Sequence, residues 1–157
     1  MIPSSAVRRS LVTGIVLCMM SLLGMVWAQN LVVVGDMVIG GENNEGATCV
    51  LASRFLHEQQ VVWRAKVVDP VTNAELTDME LTSVEVTLID GQVFEMEFGE
   101  HPPREPVDSY WTTNWVIPAD YPSGIVDFTV MATHSDGRTG ELVSFPIEAS
   151  MLTILPE

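Results

Sequence analysis

Residues 84–98 read VEVTLIDGQVFEMEF, and apolar side chains recur at every second position on both sides of an Asp-Gly pair. Val84, Val86 and Leu88 stand against Glu85 and Thr87, and Phe94, Met96 and Phe98 stand against Glu95 and Glu97. A period of two sends successive side chains to opposite faces, so each run reads as a half-buried strand. Asp90-Gly91 between them signals a tight hairpin, because glycine accepts the positive φ that such turns demand.

The same period continues outward in both directions. Upstream, Val61, Trp63, Ala65 and Val67 share one side of a run whose other side carries Arg64 and Lys66, and Leu31 to Ile39 reads as a first strand. Between these runs, Gly40 to Gly46 (GGENNEG) reads as a flexible acidic loop. Downstream, Trp111, Thr113, Trp115 and Ile117 alternate with Tyr110, Thr112 and Asn114 before Pro118 and Pro122 make a corner. Val126, Phe128, Val130 and Ala132 form the next inward row, and Ser135-Asp136-Gly137 turns the chain. Leu142 to Ile147 returns as a strand whose Pro146 suggests an edge, and Leu152 to Leu155 offers one more short pairing.

Nowhere does a 3.6-residue pattern persist for three turns. The expected fold is therefore all-β: a single antiparallel β-sandwich of about seven to eight strands. The longer connections, Asp69 to Thr77 and Gly99 to Asp108, have the length of crossings between sheets.

Ahead of this domain, Arg8-Arg9 precedes an apolar run from Leu11 to Trp27, and Val26-Trp27-Ala28 has the form of a signal-peptidase site. Residues 1–28 thus read as a signal peptide and residues 29–157 as the working domain, periplasmic or secreted. An uncleaved leader would be a membrane anchor, since Leu11 to Ala28 is about as long as the shortest spanning helices.

All 21 acidic residues but only five of the seven basic ones follow Ala28, so that part carries five minus 21, a formal −16. Such a field repels phosphate, which excludes nucleic acid and direct binding to anionic membrane as functions of the domain. The acids are scattered among apolar residues, as on a solvated exterior. One cysteine, Cys49, remains after Ala28, so no disulfide can close within the domain. It is buried and inert, cross-linked to another chain, or a ligand.

Two features of this strand-rich domain resemble the immunoglobulin-like superfamily, including the bacterial Ig-like domains of secreted proteins. Cys49 stands fourteen residues before Trp63, much as the second-strand cysteine precedes the core tryptophan in that family. Asp120 to Val130 (DYPSGIVDFTV) is similar to its Asp-x-(small)-Gly-x-Tyr-x-Cys approach to the penultimate strand, with Phe128 at the tyrosine position and Val130 at the second cysteine. The resemblance spans roughly Cys49 to Ile147 and implies an immunoglobulin-like, disulfide-less sandwich with Cys49, Trp63, Phe128 and Val130 in its core. Losing the inter-sheet disulfide forfeits about 2–4 kcal/mol, which large buried rings can offset.

For chemistry, the chain shows no Gly-x-Ser-x-Gly elbow, no phosphate-binding glycine loop and no histidine placed to activate Cys49, so it reads as a non-enzyme. Glu95 and Glu97 share a strand face as a glycosidase pair would, but any alternating solvent face does the same. Tyr110, Trp111 and Tyr121 lie beside a proline-rich loop carrying His101, Pro102 and Pro103, a composition suited to a protein contact. Trp111 also has the parity of a core residue. The expected function is an exported, non-catalytic accessory that docks another exported protein through this loop end or an edge strand, without a cofactor. The alternative is a metal-binding or electron-transfer accessory holding zinc or copper on His101 with Cys49, His57 or His134. A third reading is sugar binding on the exposed aromatics.

Overall fold

A computed structural model describes residues 30–42, 49–100, 107–143, 147 and 150–156. The leader, most of the Gly40–Gly46 loop, and His101, Pro102 and Pro103 lie outside the described residues.

The described chain is all-β. Its strands are β1 (Val32–Ile39), β2 (Arg54–Phe55), β3 (Gln60–Asp69), β4 (Ala74–Glu75), β5 (Leu81–Leu88), β6 (Val93–Glu95), β7 (Glu97–Glu100), β8 (Ser109–Val116), β9 (Gly124–Val126), β10 (Phe128–His134), β11 (Thr139–Val143) and β12 (Leu152–Ile154). One antiparallel sheet has the order β1-β3-β8-β7, with β4 attached to β3, and the other has the order β11-β10-β5-β6. These eight strands are the two layers of the sandwich. A small third sheet, β2-β12-β9, uses the Leu152–Ile154 segment, which pairs parallel to β2 and antiparallel to β9.

Alternation explains the layers. Along β3, residues are alternately half-buried and buried from Gln60 to Asp69, and Val61, Trp63, Ala65 and Val67 face the second sheet. From that sheet Val84, Val86, Leu88, Phe128, Val130 and Ala132 face back. Trp63 joins the two: its ring stacks on Phe94 at 6.0 Å between centroids and on Trp115 at 6.4 Å, and meets Phe128 edge-on at 5.9 Å. Such offset and edge contacts are the favoured aromatic geometries.

Two turns share one design. In Leu88-Ile89-Asp90-Gly91-Gln92 and in His134-Ser135-Asp136-Gly137-Arg138, the Gly N–H returns to the first carbonyl and the first N–H bonds the last carbonyl, all at 2.8–2.9 Å. The glycines have φ of +89° and +90°. In each turn the Asp Oδ1 also accepts the N–H two residues on. This is a three-residue hairpin loop closed by a left-handed glycine, not a two-residue primed turn.

The structure corrects several expectations. Phe94 to Phe98 is not one strand: the chain passes from β6 in one sheet to β7 in the other at the buried Met96. Phe94, Met96 and Phe98 all still face the core, because the change of layer preserves their inward side. The returning strand begins at Thr139, earlier than Leu142, since the three-residue turn leaves Thr139 already opposite Thr133; it is described to Val143, and residues 144–146, with Pro146, lie outside the described residues.

Cys49 is not a core residue under Trp63. It is exposed, has φ +58°, and donates its N–H to Ile39 O at 2.8 Å where Cys49–Ala52 runs beside the end of β1. Trp63, Phe128 and Val130 are in the core as expected.

Candidate functional site

The strand order scatters the residues that the sequence placed together. Tyr110 stands near the start of β8 and Tyr121 beyond its end, so the two tyrosines lie at opposite ends of that strand. Trp111 is buried, packs on Phe98 at 5.4 Å and donates its Nε1–H to Leu76 O at 3.2 Å; it belongs to the core. Tyr121 is half-buried against Trp115, with centroids 4.9 Å apart. Its hydroxyl donates to Asp90 Oδ2 at 2.8 Å. Burial, then this carboxylate, pushes its pKa up to about 12.

The metal candidates are also separated. His57 Nε2 lies 2.8 Å from Tyr121 O, and since a carbonyl only accepts, Nε2 carries the proton there. His134 sits at the far end of β10 from Phe128, with Nδ1 3.0 Å from Asp136 N in its own turn. Cys49 borders a shallow polar cleft with Gln60, Glu95, Glu97 and Asn114. Among the described residues no three His, Cys, Asp or Glu side chains gather as a metal site would require. Cys49, His57 and His134 therefore do not gather at one place, and His101, on which the zinc or copper alternative centred, lies outside the described residues.

Two places remain with the character of binding sites. The first is the outer face of the β1-β3-β8-β7 sheet. Pairing of Ala65 with Trp111 sets Tyr110 beside β3, where Arg64 Cζ lies 5.4 Å and Lys66 Nζ 5.1 Å from the centre of its ring. Arg64 donates to both Asp36 oxygens at 2.8 and 2.6 Å. Lys66 bonds Glu75 at 3.0 Å and Asp108 at 2.8 Å. Hydrogen bonds to Asp36 and Asp108 raise the pKa of Arg64 and Lys66 respectively, and Lys66 lowers that of Asp108. Val34, paired with Lys66, adds an apolar side chain that is 50% exposed.

The second place is a cavity of about 480 Å³ reaching between the sheets from the β1 and β11 edges, lined by Gly35, Met37, Trp63, Phe128, Val130 and Leu142 among others. Neither Gly35 nor Leu142 stood out as a site residue in the sequence. The available signal was Gly35 interrupting an apolar strand, a mark of close backbone approach. A Cβ there would lie 2.5 Å from Arg64 O and 3.3 Å from Leu142 Cδ2.

In comparison with known proteins, no family model, curated protein or solved structure matches the chain.

Proposed function

We propose that the protein is an exported, non-catalytic binding module of the immunoglobulin-like type, which docks another exported protein through the outer face of the β1-β3-β8-β7 sheet. The observation that carries this is Tyr110, half-buried between Arg64 and Lys66, whose charges are matched in advance by Asp36, Glu75 and Asp108. A tyrosine held between ordered cations presents a rigid amphipathic surface at low entropic cost, and Tyr and Arg are enriched at interface hot spots. The row Val34, Lys66, Tyr110 crosses three strands and mixes apolar with paired charged groups, as contact surfaces do.

The strand order supports the family part of the reading. Labelled A to G, β1-β3-β8-β7 runs A-B-E-D and β11-β10-β5-β6 runs G-F-C-C′, the immunoglobulin arrangement with one added strand. In that lettering β10 is the penultimate strand F, where Phe128 and Val130 were expected, while Trp63 stands on B rather than C.

Tyr110→Ala tests the surface. Cross-linking in the producing cells should lose the companion protein in this variant, while thermal stability changes by no more than about 1 kcal/mol, the scale of a cation–π contact. Unchanged cross-linking would remove this face from the reading.

A further inference from the structure

The outer faces of the two sheets carry their charge in different ways. On the β1-β3-β8-β7 face, Arg64 and Lys66 are matched by Asp36, Glu75 and Asp108. On the β11-β10-β5-β6 face, the register lines up Glu141, Met131, Glu85 and Glu95, one residue from each strand in turn. The outward rows beside it are uncharged: Thr133 pairs with Ser83 on one side, and Thr129, Thr87 and Val93 line up on the other.

Among the described residues nothing neutralises that row, and none of its three glutamates has a hydrogen bond or an ion pair. Arg138 is taken by Asp69 and Asp136, and Arg54 stands on β2 in the small third sheet. Glu95 opposite Glu85 is a like-charge cross-strand pair, which destabilises a sheet, and glutamate is already depleted in strands. The Thr, Ser and Val of the neighbouring rows show what the same face carries where no charge is needed. Met131, 37% exposed between Glu141 and Glu85, and Val93, 55% exposed, add apolar surface to the acidic row. Methionine is the side chain that adapts most readily to a partner.

We propose that the outer face of the β11-β10-β5-β6 sheet binds a basic, extended segment of a partner protein through Glu141, Glu85 and Glu95. The four strands spread the row over about 14 Å, and cations at alternate positions of an extended chain recur about every 7 Å on one side. Their aliphatic stems can lie on Met131 and Val93 while the charged ends reach the carboxylates. A second copy of this chain would set acid against acid, and an anionic ligand would be repelled. Complementary charge of this kind acts chiefly on the rate of encounter and the choice of partner. The face lies on the opposite layer from Tyr110, so the two surfaces are independent.

The probe is the peptide KVKTRVK, blocked at both ends, titrated into ¹⁵N-labelled protein from the exported fraction of its host. In ¹⁵N–¹H spectra the amides of Glu85, Met131 and Glu141 should move saturably, while those of Arg64 and Lys66 stay in place. Glu85→Gln combined with Glu141→Gln should weaken binding about fivefold or more, the scale of exposed ion pairs. Asp78→Asn combined with Asp120→Asn removes the same charge from two exposed positions outside the strands, and should change binding by less than about twofold. No saturable movement at any soluble concentration, movement spread evenly over the surface, or equal loss in the two double variants would overturn the proposal. The first two results come from the unsubstituted protein, so they stand even where a variant fails to fold. Tyr110→Ala should leave peptide binding unchanged, which separates failure of this face from failure of the other.

Discussion

Tyr121 ties its own pKa to the fold. Its hydroxyl is favoured in the protonated form, pushed from 10.0 to about 12 by burial and Asp90. A proton held more tightly in the folded state stabilises it fully below pH 10, and the contribution is lost as pH rises towards 12. Tyr121→Phe should flatten the fall in stability across that window, measured by urea unfolding at successive pH values. Asp69 works in the opposite direction. The hydrogen bond from Arg138 at 2.9 Å, then that from Val71 N–H, holds its carboxyl below the ordinary 3.8. Its contribution is present above that value and lost as pH falls through the depressed one. Asp69→Asn should therefore lower Tm at pH 7, with the difference from the parent closing in acid. Cys49 departs furthest from its sequence reading, because spacing to Trp63 carries no information on backbone conformation, and φ +58° beside β1 turns the side chain outward. A thiol reagent should therefore label Cys49 in the folded protein without prior unfolding; protection until unfolding would restore the buried placement.

At the scale of elements, a glycine lets the sheet edges close. A Cβ on Gly140 would lie 2.6 Å from Leu31 O, in the place where Leu31 N–H donates to Thr139 O at 2.9 Å and joins the layers. Backbone cannot yield there as a side-chain tip could, so Gly140→Ala should destabilise by about 1–3 kcal/mol. Gly99, where an added methyl would meet nothing within 4 Å and φ is not positive, is the control; Gly99→Ala should be neutral or stabilise by up to about 1 kcal/mol. Thermal unfolding of the two variants side by side checks both values. Most strands were legible from alternation alone, as β3, β5, β8 and β10 illustrate, since one face is buried and the other is not. The break at Met96 was not legible. Both sheets of a sandwich present the same inward side, so a strand that changes layer keeps its period of two.

At the scale of the whole molecule, the sandwich was legible because period-two runs and Asp-Gly turns exclude helical layers. The site was not. Tyr110 and Tyr121 are close in sequence, but an eight-residue strand carries them to opposite ends, and only strand order shows which residues share a face. The same order brings Arg64 and Lys66, from β3, to the ring of Tyr110 on β8. It also assembles the cavity under Gly35 from β1 and β3 on one side and the β10–β11 hairpin on the other, two pairs far apart in sequence. Few cations are spent on this acidic surface, and two of them flank one tyrosine, which is why we propose the docking face there. The most direct measurement is the native and denatured mass of the protein from its host's exported fraction, for the parent and for Tyr110→Ala. A docking module would give a denatured chain starting at Gln29 and a native mass raised by a companion protein that Tyr110→Ala loses. A native parent mass without a companion, or a companion retained by Tyr110→Ala, would contradict it.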